Sequence, residues 1–138
     1  MNPKTVLLAA IAGLMSFGIN CSAQEAISAD RTKELNDYIE TKIREQERIL
    51  DLEGWQTFYL DSIYTHDYFE MEKELQSLDK AKVGNTDIYL GVQDKWEECI
   101  YQAVFKVLDE QQWKKYLKTG VSAAKKARDK RQAKRESK

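Results

Sequence analysis

His66 is the one histidine in the sequence, and imidazole is well suited to bind a metal or move a proton near neutral pH. Glu70 follows four residues later, so both side chains can share one face of a helix. A divalent metal site normally needs three or four protein ligands with supporting hydrogen bonds, and Asp67 points about 100° away around a helix. The sequence therefore predicts a structural histidine and no metal or cofactor, with a metal-stress sensor at His66 and Glu70 as an alternative.

The patterns that carry most enzyme chemistry are missing from the sequence. It contains no nucleophile elbow, no glycine-rich phosphate loop and no HExxH pair. Carboxylates are frequent, but they stand among helix-forming residues and are typical of solvated helix faces; they include Glu70, Glu72, Glu74, Glu97 and Glu98. The sequence therefore predicts a binding protein and not an enzyme.

Residues 107–117, VLDEQQWKKYL, contain the clearest local signal. With Asp109 at the N-cap, its carboxylate can accept from the backbone N–H of Gln112, and the Gln112 side chain can reach back to the N–H of Asp109. Leu108 and Trp113 stand where a hydrophobic staple joins the chain before the cap to the first turn. The stretch predicts a helix that begins after Asp109, with a cap that stabilises it by about 1 kcal/mol.

A degenerate copy of the same pattern stands 56 positions upstream, at Leu52 and Gln56. The pair resembles the twice-occurring Leu-Thr-x-x-Gln motif of the small periplasmic stress proteins of the Spy and CpxP type, with acidic residues where that family has the capping Thr. The resemblance implies a helical hairpin that dimerises into a curved cradle and holds unfolding client proteins without ATP. Only Leu108, Gln112, Leu52 and Gln56 match the motif, and they are expected to be structural positions.

The N-terminus has the pattern of an export signal. An apolar run at 6–17 follows the positive start of the chain and is too short to span a membrane comfortably. Cys21 and Ala23 then occupy the two small-residue positions of a cleavage site. The sequence predicts a signal peptide at 1–23 and a periplasmic mature protein, with a lipid anchor on Cys21 as the alternative.

Charge is divided sharply along the chain. Residues 24–112 carry 21 Asp and Glu against 10 Lys and Arg, whereas residues 113–138 carry 11 Lys and Arg against two acidic residues. Such a basic end can bind anionic lipid, acidic glycan or the acidic part of the same protein, while export argues against nucleic acid. The basic tail, 121–138, is centred on Lys125, Lys126, Arg128, Lys130, Arg131, Lys134 and Arg135.

The sequence after the predicted signal peptide indicates an all-α protein of three to four helices. It contains no proline, because Pro3 lies in the predicted signal peptide. It contains many Glu, Lys, Gln and Leu residues and shows no alternating β pattern. The turn-forming stretch KVGNT, 82–86, is short enough to indicate an antiparallel helical hairpin. The expected architecture is a small bundle over 24–120 followed by an extended basic C-terminal helix over 121–138.

Apolar residues at spacings of three and four predict the core face of each helix. The expected helices run over about 28–48, 55–78 and 87–107, with a fourth after Asp109, and Gly54 either breaks or kinks the chain between the first two. Leu35, Ile39 and Ile43 should face the core from the first helix. The third helix should present Ile88, Val92, Trp96, Cys99, Ile100, Ala103 and Val107. Cys99 is therefore expected to be a small buried thiol with no internal disulfide, with an intermolecular disulfide or a reactive thiol as the alternative.

The segment 55–69 holds more aromatic residues than one helix face of a small bundle can bury. Some are expected at the surface or under a second subunit, and an exposed aromatic patch often marks an interaction site. The candidates for client binding are Trp55, Phe58, Tyr59, Tyr64, Tyr68 and Phe69.

The combined features predict an exported, non-enzymatic, chaperone-like protein that binds unfolded or envelope proteins, with a homodimer as one arrangement. The alternative is an envelope adaptor or structural protein that contacts anionic lipid or glycan through the basic tail. Salt separates the two functions, because charge-driven binding weakens as salt screens it and apolar binding does not.

Overall fold

Helices account for nearly all of residues 26–138, the part of the chain that this computed structural model describes. They are α1 (Ala29–Leu50), α2 (Gly54–Lys80), α3 (Thr86–Val107), α4 (Glu110–Tyr116) and α5 (Ser122–Glu136). A kinked segment, Leu117–Val121, joins α4 to α5, so the last two are parts of one bent helix. The predicted all-α fold of three to four helices is confirmed. The predicted signal peptide, 1–23, with Cys21 in it, lies outside the described residues.

Polar caps and two left-handed residues, Asp51 and Lys82, set the helix boundaries. At the start of α1, Ser28 Oγ accepts a hydrogen bond from the backbone N–H three residues on (3.3 Å), and Asn85 Oδ1 accepts one from the first turn of α3 (2.9 Å). α1 ends where Asp51 adopts a left-handed conformation with φ of 52°. Because α2 begins at Gly54, this glycine marks a break between two helices and not a kink in one.

α2 and α3 form the predicted antiparallel hairpin. In the half nearer the turn, Lys95 Nζ and Trp96 Nε1 both donate hydrogen bonds to the carboxylate of Glu74, each with a donor–acceptor distance of 2.5 Å. At the far end, Gln56 Nε2 in the first turn of α2 donates to the carbonyl of Val107, the last residue of α3 (3.1 Å). α1 packs against α2 and α4 and so completes the bundle.

The hydrophobic core lies between the first four helices. Leu35, Ile39 and Ile43 are all buried, as their spacing of four predicts. The other buried apolar residues are Leu50, Leu60, Tyr64, Tyr68, Ile100, Val104, Leu108 and Tyr116.

The predicted core face of α3 is wrong in part. Cys99 and Ile88 are exposed, whereas Ile100 and Val104 are buried. The inner face is rotated because it also carries Asp94, which is buried and forms ion pairs with two arginines of α5. A hydrophobic pattern assigns such a carboxylate to the solvent side, since acidic residues are rarely buried unless they are paired. Cys99 is therefore a surface thiol and not a core residue.

Gly120 allows the chain to turn back along the bundle. Its φ is 96°, a conformation that glycine adopts at little cost and other residues rarely adopt. Beyond this kink, Arg128 contacts Glu98, and arginines further along α5 contact Asp94, which precedes Glu98 in α3. α5 therefore runs antiparallel to α3 and lies against it through long charged side chains.

Candidate functional site

The capping box predicted at Asp109 is confirmed. Its carboxylate accepts a hydrogen bond from the backbone N–H of Gln112 (2.8 Å), and Gln112 Oε1 accepts one from the backbone N–H of Asp109 (3.0 Å). Leu108, just before the cap, is buried in the core. The two bonds satisfy backbone donors that a helix start otherwise leaves without partners, and they fix where α4 begins.

The degenerate copy of the motif occupies the matching place at the start of α2. Glu53 is the N-cap residue, and its backbone N–H donates to Oε1 of Gln56 (3.0 Å). A Glu53 carboxylate oxygen accepts from Trp55 Nε1 (2.5 Å), which holds the indole beside the cap. Leu52 packs against the core. Glu53 therefore occupies the N-cap position with its backbone N–H bound by the Gln56 side chain, while its carboxylate binds the Trp55 indole.

The glutamines of the two motif copies form a reciprocal pair. Gln56 Nε2 donates to Gln112 Oε1 (2.7 Å), and Gln112 Nε2 donates to Gln56 Oε1 (2.9 Å). Their remaining amide protons go to the carbonyls of Val107 (3.1 Å) and Leu50 (3.4 Å), which end α3 and α1. Both side chains are buried, so the two glutamines join four helix ends and are themselves not exposed to a partner.

Trp113 lies between α4 and α3. Its ring centroid is 5.0 Å from both Tyr101 and Phe105, in edge-to-face arrangements, and 5.5 Å from Tyr116. Such aromatic contacts each contribute about 0.5–1.5 kcal/mol beyond the burial of area. Trp113 is therefore a packing residue that holds α4 on the bundle.

The aromatic residues of 55–69 divide into an exposed set and a buried set. Trp55, Phe58 and Tyr59, called the aromatic patch from here on, are 52%, 68% and 54% exposed. Tyr59 contacts both others edge to face, with ring centroids 6.1 and 5.9 Å apart. Tyr64 and Tyr68 are buried and cannot contact a client protein in the folded state, which corrects their assignment as client-binding residues. Phe69 is partly buried against the core.

The buried tyrosines find polar partners that the sequence does not reveal. Tyr64 Oη donates to Gln46 Oε1 on α1 (2.6 Å), and Tyr68 Oη lies 3.5 Å from Glu97 Oε1 on α3. Burial raises the pKa of the Tyr64 phenol well above its usual value, so the hydroxyl stays protonated and donates. Gln46 is buried at a spacing that fits the core face of α1, which is the one signal in the sequence that could have identified it.

His66 and Glu70 do not come together. His66 is exposed and its Nδ1 lies 2.7 Å from Asp67 Oδ1, while Glu70 accepts a hydrogen bond from Lys73 (2.5 Å). Asp67 thus reaches the histidine despite its different angle around the helix. Within residues 26–138, no group of three or more His, Cys, Asp and Glu side chains is arranged to hold a metal ion.

The basic tail divides into two faces. On the inner face, Arg131 forms a two-pronged hydrogen bond with Asp94 (2.9 and 2.6 Å), Arg135 adds a third to the same carboxylate (2.8 Å), and Glu98 is shared by Arg128 and Lys125. The basic tail is thus in contact with one of the three anionic partners expected for it, the acidic part of the same protein. On the outer face, exposed lysines at intervals of four form a row, called the lysine row from here on: Lys126, Lys130 and Lys134.

No protein-family model, curated protein or solved structure matches this chain. Over residues 26–138, the helices also lack the combination of length and apolar character that crossing a membrane requires. The features that can support a function are therefore those of the chain itself.

Proposed function

We propose that the protein binds other polypeptides without catalysis, through the aromatic patch, as a chaperone-like protein of the cell envelope. The observation that carries the proposal is the group of three adjacent aromatic side chains, each more than half exposed, on the first turns of α2. Aromatic rings bring large apolar area with few rotatable bonds, which suits them to bind varied apolar segments.

The hydrogen bonds that fix the first turn of α2, which carries the patch, support this proposal. The patch begins one residue after Gly54, where the Gln56 amide holds the start of α2 against the end of α3 and against Gln112 of α4. The bond from Trp55 Nε1 to Glu53 also fixes the indole. A site on a fixed helix start loses little conformational freedom when it binds.

The export signal and the motif resemblance support the same proposal from the sequence. A protein outside the cytoplasm has no ATP to drive client release, and a passive apolar surface needs none.

The proposal is tested by suppression of aggregation of a chemically unfolded client protein at low and moderate salt. The Phe58→Ser/Tyr59→Ser double variant removes most of the patch, and Ile88→Ser is the matched control because Ile88 is exposed at the opposite end of the α2–α3 hairpin. We expect the double variant to bind the client at least about 100-fold more weakly, since each of the two lost aromatic contacts is worth about 1.5–3 kcal/mol when fully buried.

Suppression by the unchanged protein should persist at moderate salt, because apolar contacts are not screened. The control should act like the unchanged protein, and circular dichroism should show the same helix content for all three. Failure of the unchanged protein to suppress aggregation at stoichiometric excess would overturn the proposal, as would full activity of the double variant.

A second candidate function is contact with anionic lipid or glycan through the lysine row. The observation that favours it is the position of Lys126, Lys130 and Lys134 on the face of α5 directed away from the ion pairs with α3. Three cations in a row on one helix face can approach an anionic surface together.

A further inference from the structure

A cavity of about 720 Å³ lies between α1, α2, α3 and α5. Its volume is in the range of about 300–1,000 Å³ that is typical of small-molecule sites. One part of its wall is apolar or aromatic and is formed by Leu35, Tyr38, Tyr68, Met71 and Leu90, while Ala124 and Ala127 leave room on the α5 side.

One guanidinium group at this cavity lacks its full set of acceptors. Arg128 is only 7% exposed, and its buried Nε has no hydrogen-bond partner among the described residues. Its ion pair is a single 3.3 Å contact with Glu98, an acceptor that Lys125 shares. By contrast, Arg131 at the same cavity is bound by both oxygens of Asp94. Because Nε is buried, an anionic ligand in the cavity would be bound by the terminal N–H groups of the guanidinium, of which only Nη2 has an acceptor among the described residues.

A carboxylate at the same cavity lacks a cation. Within residues 26–138, the Glu97 side chain accepts only the Tyr68 hydroxyl, at 3.5 Å, and forms no ion pair. Glu97 and Arg128 also both line a smaller neighbouring cavity beside Tyr116, so they stand at the same end of the space. The Tyr38 and Tyr68 rings meet edge to face next to it, 5.3 Å apart, and aromatic faces beside a carboxylate favour an ammonium group.

We propose that this cavity binds a small apolar zwitterion, of which apolar α-amino acids are the simplest. The ligand carboxylate would accept from Arg128, and its ammonium group would donate to Glu97 beside the two tyrosine rings. The apolar body would pack against Leu35 and Leu90. The site does not include the aromatic patch, so it stands or falls separately from polypeptide binding.

Calorimetric titration of the purified protein with L-phenylalanine and L-leucine tests the ligand chemistry. Phenylalaninamide keeps the ammonium group without the carboxylate, and N-acetylphenylalanine keeps the carboxylate without the ammonium group. We expect at least one of the two amino acids to bind, and each phenylalanine derivative to bind about tenfold or more weakly than phenylalanine, since a charge-assisted hydrogen bond contributes about 1.5–3 kcal/mol. The proposal is overturned if neither amino acid binds at ligand concentrations well above the millimolar range. It is also overturned if either derivative binds as tightly as phenylalanine.

Variants test the location. Glu97→Gln and Arg128→Gln should each weaken binding about tenfold or more, while Lys126→Gln on the outer face of α5 should leave it unchanged. Because Arg128→Gln can loosen α5, Ala127→Phe serves as a second variant that fills the cavity and keeps every charge. Helix content and thermal unfolding of each variant confirm folding. Binding by Ala127→Phe equal to that of the unchanged protein would overturn the proposal.

Discussion

Gln56 and Gln112 use every hydrogen-bonding atom of their amides, and this explains how two polar side chains can be buried at the meeting point of four helix ends. Each Oε1 accepts from an N-cap N–H and from the other amide, and each Nε2 donates to the other amide and to a terminal carbonyl. A primary amide offers two donors and two acceptor positions, so the pair is complete without water.

This saturation predicts that the pair contributes more to stability than a cap alone. Gln112→Ala leaves one donor and one acceptor position of the buried Gln56 amide without a partner, together with the Asp109 N–H and the Leu50 carbonyl. We therefore expect it to lower the free energy of unfolding by about 2–4 kcal/mol. Asp109→Ala removes only a cap and should cost about 1 kcal/mol. Urea unfolding measures both, and the Gln56→Ala/Gln112→Ala double variant should cost less than the sum of the singles. Equal costs for Gln112→Ala and Asp109→Ala would contradict this account.

The capping box at Asp109 could be predicted from the sequence because its bonds join residues three positions apart. The pairing of Gln56 with Gln112 could not, since the 56 intervening positions give no local signal of where the second amide lies. The sequence also could not predict that Phe58 is exposed while Tyr64 is buried. Both are aromatic residues of one helix, and only the position of α1, with Gln46 as a partner, decides which one faces inward.

At the scale of elements, α5 is held on α3 by ion pairs and not by an apolar face. Asp94 and Glu98 of α3 bind four cations of α5, and the apolar residues of α5 that face the bundle are small alanines. These ion pairs also explain why the inner face of α3 is rotated from the predicted apolar face. A carboxylate is rarely buried unless a cation meets it, and the arginines that meet Asp94 stand 37 and 41 positions away in the sequence.

The attachment of α5 should therefore depend on pH. The hydrogen bond from Arg131 lowers the pKa of Asp94 despite the opposing effect of burial, and Arg135 adds to the lowering. A carboxyl whose pKa is lower in the folded state stabilises that state above its unfolded pKa, about 3.9, and loses this effect as the pH falls through the folded value. We expect α5 to be attached at pH 7 and to loosen below about pH 4.

Amide-exchange protection factors measure this loosening. At pH 7, Asp94→Asn should lower protection in α5 about five- to tenfold and leave α2 unchanged, because a partly solvent-screened ion pair contributes about 1 kcal/mol. The difference between the variant and the unchanged protein in α5 should shrink as the pH falls below about 4, and it should disappear below the folded pKa of Asp94. A difference that stays constant as the pH falls would show that Asp94 is not the titrating group.

At the scale of the whole molecule, the two oppositely charged parts of the chain largely neutralise each other. The sequence reveals the charge division, but it leaves open whether the basic tail faces an external anion or the acidic body. The structure places Lys125, Arg128, Arg131 and Arg135 against α3, which leaves the lysine row as the exposed cationic feature of α5. Any binding of an anionic surface by α5 should reflect those three lysines and not the full charge of the tail.

Two sets of substitutions should therefore change vesicle binding in opposite directions. Lys126→Gln/Lys130→Gln/Lys134→Gln should weaken binding to phosphatidylglycerol-containing vesicles about 100-fold, since each lysine near an anionic surface contributes about 1 kcal/mol. Asp94→Asn should strengthen it, because it releases Arg131 and Arg135 from their ion pairs. Sedimentation of vesicles at low salt measures both, with phosphatidylcholine vesicles as the uncharged control. If the triple variant binds as the unchanged protein does, the lysine row has no role at membranes, and the basic tail serves only to hold α5 on the acidic face of α3.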